Sequence, residues 1–202
     1  MHAGDLDAVT AVHMSSFPGF FLTFLGSGFI RLLYDCVLGD PEGVAFVAVT
    51  DSGTIGFAIG VVHQTGFYRR ILKRHKWRFA WQALRTALAH PQIIPRLVRA
   101  LRRPATAKES AAEACLMSVA VDPSYQGHGI GSALVEAFCE ELCIRGVSQV
   151  CLTTDSVGNE SVNRFYQAAG FALGRQHVTP EGRQMNEYVR SLHGEHRAQQ
   201  EF

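Results

Sequence analysis

Residues Ala114–Gly146 read ACLMSVAVDPSYQGHGIGSALVEAFCEELCIRG, and their reading decides the fold. Leu116–Val121 is apolar and rich in small and β-branched residues, and Asp122-Pro123 stops it, so the pattern predicts a strand. Ser124 to Gly131 is a tight loop with three glycines, Gly127, Gly129 and Gly131. Without Cβ, Gly129 and Gly131 let a bulky ligand approach their backbone amides. The run that follows places Ile130, Leu134, Ala137, Phe138, Leu142 and Cys143 on one side at spacings of three and four, the period of a helix. The free N–H groups and positive dipole end of such a helix face whatever enters the loop. That arrangement suits an anion, above all phosphate oxygens.

Outward from this unit the chain alternates helix and strand. Asp5 is expected to cap a helix carrying Leu6, Val9, Val12 and His13 on one side. Phe17–Gly28 reads as a loop dense in aromatics and glycine, and Phe29–Leu38 as a second helix. Val44–Thr50 and Thr54–Val62 form a hairpin about Asp51-Ser52-Gly53. On the other side come a strand Gln149–Thr154, a loop Asp155–Glu160, a short helix Ser161–Ala169, and a last hairpin, Phe171–Val178 with Arg183–Arg190. This order predicts one α/β domain over 1–202, a mixed central sheet with helices on both faces, and a frayed tail over 192–202.

With 202 residues, 47% of them apolar, the chain can bury a substantial core. The five cysteines, Cys36, Cys115, Cys139, Cys143 and Cys151, form no C-x-x-C pair and have no histidine at ligand spacing. They are expected to be reduced and buried, with no metal site, as suits a cytoplasmic protein. No leader is recognised, and no apolar run approaches the ~18 residues needed to span a bilayer. Net charge is only +1, but the charge is segregated. Eleven of the nineteen Lys and Arg residues, and none of the eighteen acids, lie between Arg69 and Arg103.

Residues 63–110 interrupt the strand order with this basic segment. Tyr68–His90 is expected to be helical, with a second short helix through Ile94, Leu97, Val98 and Leu101 and a small, polar return over Ala105–Ser110. Four readings compete for the insertion. It is a lid over an acceptor pocket, or it lies on an anionic membrane surface through residues 67–103, where Trp77, Phe79 and Trp81 mix with cations. It binds acidic protein, with nucleic acid ranked last. Or it pairs with the acidic remainder of this chain or of a second subunit in a homodimer.

Two ordered blocks resemble the GCN5-related N-acetyltransferases, the GNAT superfamily. The first is Gln126-Gly127-His128-Gly129-Ile130-Gly131 after V-D-P. The second is Asn159-Glu160-Ser161-Val162-Asn163-Arg164-Phe165-Tyr166-Gln167-Ala168-Ala169-Gly170-Phe171, close to that family's N-x-x-A-x-x-x-Y-x-x-x-G-F. The resemblance is clear from Glu113 to about Val189, moderate over Asp5–Val62, and absent from the insertion, which follows the family's third strand. It implies the GNAT acyl-CoA N-acyltransferase fold, a three-layer α-β-α sandwich on a mostly antiparallel sheet. The family's first strand is missing here, or the start of translation is misplaced.

The resemblance further implies acetyl-CoA as cosubstrate. Amides of Gln126, Gly127, His128, Gly129, Ile130, Gly131 and Ser132 would hold its pyrophosphate. The pantetheine arm would pair with the strand at Leu116, Met117, Ser118, Val119 and Val121, and Asn159 and Asn163 would reach the cofactor. Tyr166 would protonate the departing thiolate, since a phenol of ordinary pKa near 10 stays protonated at neutral pH. Many relatives carry a glutamate base where this chain has Thr153. The candidates left are Glu113, Asp155, His177 and water. Direct attack by an amine is expected, with Cys115 and Cys151 as buried packing rather than nucleophiles.

The acceptor would lie among Ser15–Gly28, His63–Glu109 and His177–Arg183. The first of these resembles a loop of acetyltransferases found beside polysaccharide or nucleotide-sugar genes. A small-molecule primary amine is therefore expected first, such as an amino sugar or a nucleotide-linked amino sugar. The alternatives are a protein or peptide N-acetyltransferase and a non-catalytic CoA-binding module.

Overall fold

The computed structural model describes residues 1–89, 112–179 and 182–192. After a 3-10 turn at Ala3–Asp5 come α1 (Leu6–Ser16), α2 (Phe21–Phe24), α3 (Ser27–Leu38), β1 (Gly43–Thr50), β2 (Gly53–Val61), α4 (Phe67–Ala89) and β3 (Ala114–Val121). These are followed by α5 (Ile130–Ile144), β4 (Gln149–Asp155), α6 (Glu160–Ala168), β5 (Ala172–Val178) and β6 (Gln184–Ser191). The sheet order is β1-β2-β3-β4-β6-β5, antiparallel everywhere except between β3 and β4.

Two apolar clusters cover the two faces. On one, Leu6, Val9 and Val12 of α1, Ile30, Leu33 and Val37 of α3, and Ile71 and Phe79 of α4 pack on Phe57, Ile59 and Val61. On the other, Leu134, Val135, Phe138 and Leu142 of α5 and Tyr166 of α6 pack on Ala58, Leu116, Leu152 and Tyr188. The two sets come from alternate strand residues, as the period of two requires. This is the expected three-layer α-β-α sandwich, with a basic helix inserted between β2 and β3.

Local details differ from the sequence reading. Asp5 does not cap α1 with its side chain; its carboxylate accepts from the His2 amide at 2.7 Å and closes the 3-10 turn before it. The expected loop 17–28 contains the single turn α2 and the start of α3. Helix α4 breaks regular geometry at His75 (φ −117°, ψ 23°). The second helix and polar return expected within 90–111, and the tail over 193–202, lie outside the described residues.

The sheet has one gap that matters. The parallel pairing of β3 and β4 consists of Ala114 with Val150 and Cys115 with Cys151. Past Cys115 the strands diverge, and among the described residues the β3 edge from Leu116 to Val121 has no strand partner on that side. On the β2 side Ile59 pairs with Ser118 and Gly60 with Leu116, so Met117 is the extra residue of a bulge. Such a bulge bends its strand and sharpens the twist. A Cβ at Gly60 would meet the Cys115 carbonyl oxygen and the Phe138 ring, so glycine is required beside the bulge.

Under the bulge lies a buried polar pair. His13 is 3% exposed, and its Nδ1 is 2.7 Å from the Tyr34 hydroxyl, while Nε2 has no partner among the described residues. Burial pushes the His13 pKa down from 6.5 to about 4. Above pH 6.5 both folded and unfolded chains hold it neutral. Between pH 6.5 and 4 only the unfolded chain takes the proton, so stability falls by about 1.4 kcal/mol per pH unit, about 3 kcal/mol in all. Urea titrations at pH 7 and 4.5 should show this loss, and His13→Gln should flatten it. An unchanged pH slope in that variant would reject the assignment.

Candidate active site

The loop after β3 is built to leave its amides free. The Asp122 carboxylate accepts from the Ser124 amide at 2.9 Å, and Pro123–Tyr125 forms one 3-10 turn. Gly127 and Gly129 then adopt φ of +80° and +75°, which side-chain-bearing residues rarely adopt. An added Cβ at either would meet nothing within 4 Å, so the loop lies open on that side. Gly131 differs: a Cβ there would stand 3.5 Å from the Phe165 ring of α6, at ordinary contact distance.

Helix α5 starts at Ile130 with Gly129 as a cap that offers no side-chain oxygen, and its first internal bond runs from the Ala133 amide to the Gly129 carbonyl. Among the described residues no protein acceptor takes the amides of Gly127, His128, Gly129, Ile130, Gly131 and Ser132. Six successive free donors at the positive end of a fifteen-residue helix form an anion cradle. His128 turns back, Nδ1 lying 2.9 Å from the Gln126 carbonyl oxygen, and Gln126 Nε2 donates to the Val121 carbonyl at 3.3 Å. The cradle therefore hangs from the free end of the β3 edge, where Leu116, Met117, Ser118, Val119 and Val121 line the gap toward β4.

Tyr166 lies on the α5–α6 side of the sheet. It is 9% exposed, with its ring 5.1 Å from Phe165, 5.9 Å from Phe171 and 6.3 Å from Tyr188. Burial raises its phenol above the ordinary value, so it stays protonated through the neutral range. Its hydroxyl makes no hydrogen bond among the described residues. Asn159 and Asn163 fix the entry to α6. Asn159 Nδ2 donates to Thr154 Oγ1 at 2.7 Å. Asn163 Nδ2 donates to the carbonyls of Asp155 (3.0 Å) and Asn159 (2.8 Å), and its oxygen accepts from Asn186 at 2.9 Å. The donors of both asparagines are thus used within the protein.

The sequence-derived proton acceptors are dispersed. Asp155 receives both Nε (3.0 Å) and Nη2 (2.6 Å) of Arg183. Glu113 sits at the start of β3, 3.3 Å from His63, away from the divergent end of the gap. His177 is exposed on the edge strand β5, one strand beyond β6. The structure does not bring these three together.

Sequence reasoning overlooked a third carboxylate. Glu187 on β6 is 7% exposed and pairs directly across from Thr153, with Arg175 beyond it in the same row. Directly opposed residues share a face, so Glu187 occupies the opposite side of the sheet from Tyr188 and Tyr166. An Arg175–Glu187 ion pair at 2.8 Å holds it. The signal was the alternation in Gln184–Ser191, where a lone acid falls on an inward position, but it becomes legible only with the register across from Thr153. On this face Arg183 also stacks over the Phe20 ring at 5.3 Å, which ties the 17–28 segment to the last hairpin.

The Cys115 thiol is pushed well up by its hydrogen bond with Cys151 and by burial. It remains protonated at neutral pH, which argues against a cysteine relay. All five cysteines are free thiols.

Residues 96–173 match the family model described as an acetyltransferase (GNAT) domain. The chain is 41% identical over 59 residues to the [Ribosomal protein bS18]-alanine N-acetyltransferase of Escherichia coli K12, covering 29% of this chain and 39% of that protein. It is likewise 41% identical over 63 residues to the chloroplastic GCN5-related N-acetyltransferase 2 of Arabidopsis thaliana, covering 31% and 23%. The chain therefore spans well under half the length of these curated relatives. The solved ribosomal-protein-S18-alanine N-acetyltransferase of Escherichia coli superposes with a TM-score of 0.57 at 18% identity, over 96% of this chain and 94% of that one, a likeness of fold.

Proposed function

The chain carries an acetyltransferase domain of the GNAT superfamily, and on that premise we propose that it moves an acetyl group from acetyl-CoA to an amine. The observation that carries this reading is the six-amide cradle at the open end of a split between parallel strands. A pyrophosphate fits the cradle by charge and by the open space over Gly127 and Gly129. An extended amide-bearing arm fits the unpaired β3 edge, to which it would add as a strand does.

The two faces of the split suit two proton roles. A neutral amine arriving on the Glu187 face attacks the thioester carbon, and the C–S bond breaks. Tyr166, on the other face, gives its proton to sulfur. Glu187 takes the proton the amine must lose, directly or through water, a role Thr153 cannot fill. A backbone N–H near the Met117 bulge polarises the thioester oxygen.

For the acceptor, the chain's relatives shift the order expected from sequence. They include an enzyme named for an alanine of a ribosomal protein and the histone acetyltransferase TAP1 of Glycine max, 38% identical over 63 residues. We therefore place a protein or peptide amine first and a small-molecule amine second. Release of free thiol should be assayed against peptides with free N-termini, lysine peptides, polyamines and amino sugars. Turnover with amino sugars alone would reverse the order, and no turnover with any amine would leave a CoA-binding module.

Glu187→Gln should lower kcat/KM at pH 7 by about 100-fold. Binding of CoA should not change. A variant that melts normally and keeps the wild-type kcat/KM would exclude Glu187 as the proton acceptor.

A further inference from the structure

Helix α4 carries a surface that acetyl transfer does not use. Beyond the break at His75 its inner side is well tied to the body. Phe79 packs on Phe29 with ring centroids 5.2 Å apart, and Thr86 Oγ1 donates to the Leu25 carbonyl at 2.7 Å. At 100° per residue, Trp77, Trp81, Leu84 and Leu88 project from the opposite side in one narrow stripe. All four are exposed, by 78%, 60%, 50% and 76% respectively. A contiguous apolar stripe of this kind marks an interaction surface.

The charge around the stripe says what kind of partner it fits. Arg70 and Arg78, nearer the body, pair with Glu42 and Asp35. Lys73, Arg74, Lys76 and Arg85 are exposed and form no ion pair among the described residues. Lys76 lies over the Trp77 ring at 5.4 Å. The helix has no acidic residue. A second copy applied through a two-fold axis would set these cations against their own kind, and nothing on the stripe would neutralise them.

We propose that α4 docks on an anionic lipid surface. Trp77, Trp81, Leu84 and Leu88 enter the boundary between headgroups and acyl chains, where indole rings settle, and the flanking cations sit over the headgroup charges. The helix lies on the membrane rather than across it, for no helix among the described residues is long and apolar enough to span one.

The molecule supplies its own probe, because Trp77 and Trp81 are its only tryptophans. Intrinsic fluorescence of the full chain should be titrated with vesicles of phosphatidylcholine alone and with phosphatidylglycerol added, alongside cosedimentation. The expected result is a blue shift and sedimentation with the anionic vesicles at low salt, weakened at least about tenfold by 0.5 M salt or by neutral lipid. The double variant Trp77→Ala/Trp81→Ala and the triple variant Lys73→Gln/Lys76→Gln/Arg85→Gln should each lose sedimentation while keeping normal CoA affinity and circular dichroism. No shift and no sedimentation at low salt would overturn the proposal, as would equal binding to neutral vesicles. So would emission already blue-shifted without lipid, which would mean that a second copy or residues 90–111 cover the stripe.

Discussion

Gly129→Val should abolish CoA binding at concentrations where the wild-type chain is saturated. Phosphate oxygens take charge-assisted hydrogen bonds worth about 1.5–3 kcal/mol each. Isopropyl carbons over the cradle would block at least two of them, a loss of about 100-fold or more in affinity. The φ of +75° adds a backbone cost, since a branched residue is disfavoured there. That cost falls on the loop and not on the core, because no atom lies within 4 Å of the new Cβ. Titration calorimetry with CoA and a melting curve separate the two effects. Gly129→Ala shares the backbone strain with much less bulk and should retain part of the affinity. A valine variant that binds CoA normally would remove the phosphate from this loop.

Tyr166→Phe should lower the single-turnover rate by about 100- to 10,000-fold, the range for loss of a positioned acid, and leave CoA affinity within about threefold. The ring contacts with Phe165, Phe171 and Tyr188 persist without the hydroxyl, so the fold has no reason to change. Because burial raises this phenol, the wild-type rate should show no alkaline loss from it below about pH 10. A single-turnover rate within threefold of wild type would show that sulfur leaves without this proton.

Much of this site was legible in the sequence because its chemistry is local. The glycine loop, its strand and its helix are contiguous, and the positive φ at Gly127 and Gly129 follows from residue type. The alternation on β2 follows from strand period in the same way, whereas on β3 the bulge at Met117 shifts it, so that Leu116 and Ala120 face opposite sides. What was not legible depends on register between distant segments. Glu187 gains its place only through the pairing of β6 with β4, which sets it across from Thr153. Asp155 looked like a candidate base by its position at the end of a strand, and Arg183, twenty-eight residues on, holds its carboxylate much as Arg175 holds that of Glu187. Asn163 looked like a cofactor ligand, and a network through Asn186 and Gln176 uses its amide. The insertion divides along the same line. Its helical period was readable, but which cations Asp35 and Glu42 would neutralise, and which apolar side would face outward, were fixed by packing on α3.

In the proposed reaction the two faces of the split keep the roles of Glu187 and Tyr166 apart. Strand alternation puts Glu187 and Tyr188 on opposite sides of β6, and Tyr166 packs on the Tyr188 side. Under that proposal the proton taken from the amine and the proton given to sulfur would travel by separate routes.

The most direct test is an amide-resolved NMR titration of the labelled chain with CoA and, separately, with pantetheine, which lacks the pyrophosphate. Saturable shifts for Gly127 through Ser132 with CoA are predicted, with pantetheine moving only the β3 edge from Leu116 to Val121. No saturable shift in the loop, or the same loop shifts with pantetheine alone, would contradict the account.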